Sequence, residues 1–189
     1  MEAEDPEVAP LIQRCVEEKK TLVATFIYEA LSMADVVIVD VQCDYHKESL
    51  EDMENGYADI KALGESLKII GEKVNPSCLI LIETTVPPGT TEYIAYPIIK
   101  KAFEERGLDS EPLLAHSFER VMPGREYVAS IRDFRRVCSG INEMARERVK
   151  KFLSEIIHVE KYPLTALDRP IERMWATPAT VVRKRSSAN

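Results

Sequence analysis

Cys78-Leu79-Ile80-Leu81-Ile82-Glu83-Thr84-Thr85-Val86-Pro87-Pro88-Gly89-Thr90-Thr91 is the stretch that decides the fold. Its first half is apolar without polar alternation. That pattern suits a strand buried on both faces, as in a parallel sheet covered by helices. Its second half is a rigid turn. Pro87 and Pro88 fix φ and withhold amide donors, and Gly89 lets the backbone approach a ligand closely. Thr90 and Thr91 are placed to cap a following helix, whose N-terminus attracts anions. A helix from about Glu92 carries Ile94, Ile98, Ile99 and Phe103 on one face, and Gly107 stands where its C-terminal cap belongs.

Working outward, Ile60, Leu63, Leu67, Ile70 and Val74 mark a helical stripe that Asn75-Pro76 ends. Before it lies a polar stretch, residues 42–56, read as a loop. Val36-Val37-Ile38-Val39-Asp40-Val41 is β-branched nearly throughout and reads as a second doubly buried strand. Further upstream, residues 26–33 suggest a short helix and Leu22-Val23-Ala24 a short strand. Asp5-Pro6 opens a helix whose face holds Val8, Leu11, Ile12, Cys15 and Val16. Downstream, residues 112–116 and Arg136-Val137-Cys138 are strands, and Val149, Phe152, Leu153 and Ile156 lie on a last amphipathic helix. Strands alternating with helices give an α/β fold: a partial Rossmann-like, mostly parallel sheet flanked by helices.

The 189 residues are enough for one domain with a real core, and 45% apolar with 30% charged residues is ordinary for a globular protein. No apolar run approaches the ~18 residues that span a bilayer, so no membrane partner is expected. The acidic opening is not a signal peptide, which makes the cytoplasm the expected location. A net charge of −7 disfavours nucleic acid. Cys15, Cys43, Cys78 and Cys138 are widely spaced, so neither a metal site nor a disulfide framework is expected.

Three segments, in this order, resemble the UDP-glucose/UDP-N-acetylmannosamine 6-dehydrogenase family: Ala34-Asp35-Val36-Val37-Ile38-Val39-Asp40-Val41, Glu83-Thr84-Thr85-Val86-Pro87-Pro88-Gly89-Thr90-Thr91 and His116-Ser117-Phe118-Glu119-Arg120-Val121-Met122-Pro123-Gly124. The last two are the specific ones. The resemblance runs from about Glu4 to about Ile171. It implies oxidation of a UDP-sugar C6 alcohol to the uronic acid, with two hydride transfers to NAD. It also implies roles by position. Thr85 matches a threonine near the nicotinamide that orders the reactive water, and Glu119 a glutamate of the hydrolytic step. Thr84, Thr85, Pro87, Pro88 and Gly89 match the nicotinamide-side stretch, and Val41 opens the segment near the adenosine ribose. Phe118 departs from the family's proline, and Cys138-Ser139-Gly140 stands where the family has V-G-G. The wording Glu119-Arg120-Val121-Met122-Pro123-Gly124 leans toward the N-acetylhexosamine branch.

Set against the family pattern, much is missing. The seven glycines are never closer than seven residues apart, so no G-x-G-x-x-G loop for the pyrophosphate is present. No cysteine has the nucleophile's G-x-C-x-x-x-D context. In the strand order 3-2-1-4-5-6, the chain would lack strands 1 and 2. Residues 22–24 would then have no neighbour, and residues 36–41 would form an exposed apolar edge open to self-association or complementation. The expected division is residues 1–170 as the C-terminal part of a Rossmann-type NAD-binding domain and 171–189 as a basic, disordered tail outside the family. After Glu172 the sequence leaves the family pattern, as a frameshift would produce. The other two reading frames would then encode the family's E-x-x-K-x-x-x-N helix, and its absence from both would sink that idea. Such a fragment is expected to be inactive alone.

Blander readings stand beside these. Residues 85–91 serve equally as a plain strand-to-helix turn, and Glu119-Arg120 as a surface ion pair. His46 and His158 read as solvent-facing, whereas His116 lies at a strand end beside the site. The competing functions are a non-catalytic α/β module binding a nucleotide or a partner through the open sheet edge, and a different NAD-dependent oxidoreductase of hydroxyacid or 6-phosphogluconate type.

Overall fold

Leu79, Ile80, Leu81 and Ile82 are all fully buried, as their uninterrupted apolarity requires of a central strand. They form β4 (Leu79–Ile82) of a five-stranded sheet in the computed structural model, which describes residues 5–46, 56–118, 121, 124–161 and 163–167. The other strands are β1 (Val36–Val39), β5 (Leu113–His116), β6 (Arg136–Gly140) and β7 (Leu164–Leu167), in the order β1-β4-β5-β6-β7. β1, β4 and β5 run parallel, with Val36 opposite Leu79 and Leu79 opposite Leu113. β6 runs antiparallel to β5, and β7 is parallel to β6.

Helices cover both faces. On one, α2 (Lys61–Lys73) and α3 (Tyr96–Glu105) pack together over Val37, Val39, Ile80, Ile82 and Leu114 through Leu63, Leu67, Ile70, Ile99 and Phe103. On the other, α5 (Glu143–Ser154) lays Ala145, Val149 and Leu153 over Leu79, Leu81, Leu113, Ala115 and Cys138. Each large side chain so buried contributes about 1.5–3 kcal/mol. Asn142 caps α5 by accepting the amide hydrogen of Ala145. Gly107 closes α3 as expected: its amide donates to Glu104 and that of Leu108 to Phe103. A π-helical turn, Thr91–Ala95, leads into α3. Pro97 has no amide hydrogen to donate to a regular α-helical turn there, which favours the wider π turn.

Several expectations need correction. Leu22-Val23-Ala24 forms no strand, because no neighbour supplies a ladder, and both Leu22 and Val23 are exposed. The short helix expected within residues 26–33 does form, as a 3₁₀ helix, Tyr28–Met33. β1 is buried on one face only. α5 packs mainly over β4 to β7, so that Val36 is only half-buried against that cluster and Ile38 is 46% exposed. The polar stretch 42–56 includes β2 (Asp44–His46), paired antiparallel with β3 (Tyr57–Asp59). The face of α1 (Val8–Gln13), which continues as a π-helical turn Arg14–Glu18, buries none of its residues. α4 (Tyr127–Arg132) and β7 are elements that periodicity did not reveal. The basic tail lies outside the described residues.

Candidate active site at the carboxyl edge of the sheet

Parallel strands β1, β4 and β5 end on one edge, and ligands of open α/β sheets bind beyond that edge. Residues 84–89 leave β4 there. Thr84 is buried, Thr85 and Pro88 are exposed, and Val86, Pro87 and Gly89 are half-buried. Gly89 has φ +88°, and a Cβ there would come within 2.8 Å of the Tyr93 ring, so the turn requires glycine. Thr90 departs from its expected capping role. Its hydroxyl donates back to the carbonyl of Pro87 at 2.7 Å, and it accepts no helix amide. The turn is thereby closed on itself rather than held by the helix.

Beside it, β5 ends in His116 and continues into Ser117, both buried. His116 Nε2 lies 3.4 Å from the carbonyl oxygen of Thr84, to which that nitrogen donates in the matching tautomer. The Ser117 amide donates to Ile82 at 3.0 Å and its hydroxyl to Val137 at 3.0 Å. Val41, just past β1 on the same edge, is half-buried against the core. The structure therefore brings Val41, Thr84, Thr85, Pro87, Pro88 and Gly89 to the edge that also holds His116 and Ser117. Glu119 and Arg120 lie outside the described residues.

Sequence reasoning missed the ion pair at this edge. Arg136, 3% exposed, donates from Nη2 to Oε1 of Glu83, 19% exposed. Burial weighs against the charged form of Arg136, and the Glu83 carboxylate is its ion-pair partner. The signal was a basic residue heading an apolar strand and an acidic one ending another. The antiparallel sense of β6, which brings them to one edge, is not legible in the sequence.

His46 lies in β2 with its ring 5.3 Å from that of Tyr57, and His158 is exposed and paired with Asp133 at 2.6 Å. Burial raises Cys78 and pushes Cys138 up to about 11, which leaves both as thiols. Among the described residues, no group of His, Cys, Asp and Glu could hold a metal ion, and no helix is long and apolar enough to cross a membrane.

Residues 1–157 match the family model described as the UDP-glucose/GDP-mannose dehydrogenase family, NAD binding domain. The chain belongs to this family. It is 30% identical over 99 residues to UDP-N-acetyl-D-mannosamine dehydrogenase of Pyrococcus horikoshii, covering 52% of this chain and 23% of that one. The dehydrogenase of the same name from Methanococcus maripaludis strain C7 is 27% identical over 164 residues, covering 84% and 34%. Among solved structures, the NDP-N-acetyl-D-galactosaminuronic acid dehydrogenase of Methanosarcina mazei Go1 matches with a TM-score of 0.74 at 27% identity, covering 94% of this chain and 35% of that one. The chain thus spans about a third or less of the length of these relatives.

NAD is the cofactor of this family's domain. The residues here fit one part of it. The turn beyond β4 presents the exposed Thr85 and Pro88 at the ligand edge, whereas no glycine pair in the sequence has the spacing of a pyrophosphate cradle.

Proposed function

We propose that this chain carries the nicotinamide side of the NAD site of a nucleotide-sugar 6-dehydrogenase acting on a UDP-N-acetylhexosamine in the cytoplasm. The observation that carries the reading is the turn of residues 84–89 at the carboxyl end of β4, with Thr85 exposed beside His116 and Ser117. The names of the relatives support the sugar class. NAD, when bound, would accept the hydride from the sugar carbon. The Thr85 hydroxyl would orient a water or substrate hydroxyl by hydrogen bonding, and Glu119 would take up its proton. Thr84, Pro87, Pro88 and Gly89 would form the wall against which the nicotinamide rests, with Val41 toward the ribose. The pyrophosphate cradle and the nucleophilic cysteine would come from residues outside this sequence, so the chain alone is inactive. In this reading, residues 1–170 form one structural unit and 171–189 are an appendage.

The open edge of β1 supports complementation. Ile38 is exposed there, and a further parallel strand would extend the sheet. The same edge also favours a second reading, a non-catalytic module that holds a nucleotide or a partner subunit. Calorimetric titration with NAD, then with UDP-N-acetylmannosamine, tests the first. No heat at millimolar NAD is expected for the chain alone. Binding that appears on mixing with a separately produced polypeptide bearing the glycine-rich loop supports the dehydrogenase reading. Association of the two without NAD affinity would leave only the module.

A further inference from the structure

Glu83 and Arg136 pair although they belong to strands that are not neighbours. β5 lies between β4 and β6, and strands two positions apart are separated by about 10 Å. The two side chains therefore meet across the carboxyl end of β5. By strand alternation, Glu83 continues the row of Leu79 and Leu81, and Arg136 that of Cys138, all on the α5 face. Ser117 follows Ala115 on that face, and it is tied to Ile82 on one side and Val137 on the other. Three strand ends are thus fastened together one residue before the chain enters Thr84-Thr85.

Stability does not require such a pair, since replacing a buried ion pair by apolar side chains of similar volume is often neutral or stabilising. An ion pair does fix direction. The guanidinium presents a rigid fork, whereas apolar side chains repack without fixing a backbone direction. We propose that Arg136 is a positioning residue: through Glu83 it sets the exit direction of β4, and hence the place of the Thr85 hydroxyl relative to bound cofactor. This rests on the cofactor reading given above.

The test compares the full ¹⁵N-labelled chain with the double variant Glu83→Leu/Arg136→Met, because either single substitution strands a buried charge and endangers folding. The expected result is a melting temperature equal to or above that of the wild type, with shifted and less protected amides at Thr84, Thr85 and Val86 and unmoved amides in α5. In the complemented protein, NADH affinity should fall on the order of tenfold. Arg136→Lys, which keeps the charge without the fork, should move the same amides less. Unmoved turn amides in the double variant would overturn the proposal, as would amides of α5 moving equally with those of the turn. If wild-type protein binds no NADH under complementation, the cofactor reading fails, and the ligand-free amide comparison still decides whether the pair holds the turn.

Discussion

The carboxylate of Asp5 accepts the amide hydrogen of Val128 at 2.9 Å, while its other oxygen accepts that of Glu7 at 2.8 Å. One buried side chain therefore holds the first turn of α4 and the start of α1 together. The amide donors of Val128 and then Glu7 hold its pKa below the ordinary 3.8. A carboxyl depressed in the folded state contributes stability above its unfolded pKa and loses it as pH falls through the folded value. The Val128 amide shift should therefore titrate with a midpoint below 3.8. Asp5→Ala should free the N-terminal helix and so speed tryptic cleavage at Lys19-Lys20, which are exposed already. Unchanged cleavage would show that the N-terminal helix is held by something else.

Gly140 ends β6 against the first turns of α5. A Cβ there would stand 2.3 Å from the amide nitrogen of Arg146 and 2.8 Å from the carbonyl carbon of Ala145, both backbone atoms. Gly140→Ala should cost about 1–3 kcal/mol or more, since neither partner can turn away. Gly64, inside α2, meets only the Ile98 Cδ1 at 3.8 Å, so Gly64→Ala should stabilise by roughly 0.5–1 kcal/mol. Thermal melts of the pair should move in opposite directions, and movement in the same direction would contradict the packing described for β6 and α5.

With its thiol pushed up to about 11 by burial, only ~0.1% of Cys138 is thiolate at pH 8. Cys78 is raised by the same cause, and Cys43 by burial together with the Asp59 and Asp44 carboxylates. Brief treatment with iodoacetamide at pH 8 should leave Cys78 and Cys138 unmodified until the chain is unfolded. Mass spectrometry showing early labelling at Cys138 would mean that the α5 face opens in the native state.

Ile38→Lys places a charge on the exposed face of the edge strand, where lysine blocks strand addition. Sedimentation velocity at rising concentration should show the wild type associating and the variant remaining a monomer, with little change in melting temperature. Equal association of both would locate the contact away from β1.

Thr85→Val removes a hydroxyl at nearly constant volume from an exposed position, so its effect on stability should stay within about 0.5 kcal/mol. In the complemented protein it should slow sugar oxidation about a hundredfold, the scale of a positioned proton-transfer group. An unaltered rate would remove Thr85 from the chemistry.

Much of this architecture was legible in the residues. β4, β5, α2 and α3 follow directly from apolar runs and stripes, because each is stabilised by its own burial pattern. The errors fall where an element depends on distant partners. Leu22-Val23-Ala24 has strand composition but no strand to pair with. Ile38 reads as buried because composition does not reveal that β1 lies at the edge of the sheet, where the α5 face is only partly covered. α4 is a short helix capped by Asp5 from far away in the sequence, and Leu164–Leu167 becomes a strand only through β6. At the site, the turn of residues 84–89 was read from proline and glycine chemistry. The Glu83–Arg136 pair was not, since its existence depends on the sense of β6.

The reversed direction of β6 has a consequence for how such a protein can change over time. The connection numbered 117–135 leaves β5 and enters β6 at the same edge of the sheet, the one that carries the candidate site. A parallel β6 would have required that connection to cross a face of the sheet and return. Freed from that span, the connection can vary in length without altering the strand register beneath it, provided Ser117 keeps its bonds to Ile82 and Val137. If the chain serves the reaction proposed above, selectivity for one sugar over another is open to change there while the scaffold is inherited intact.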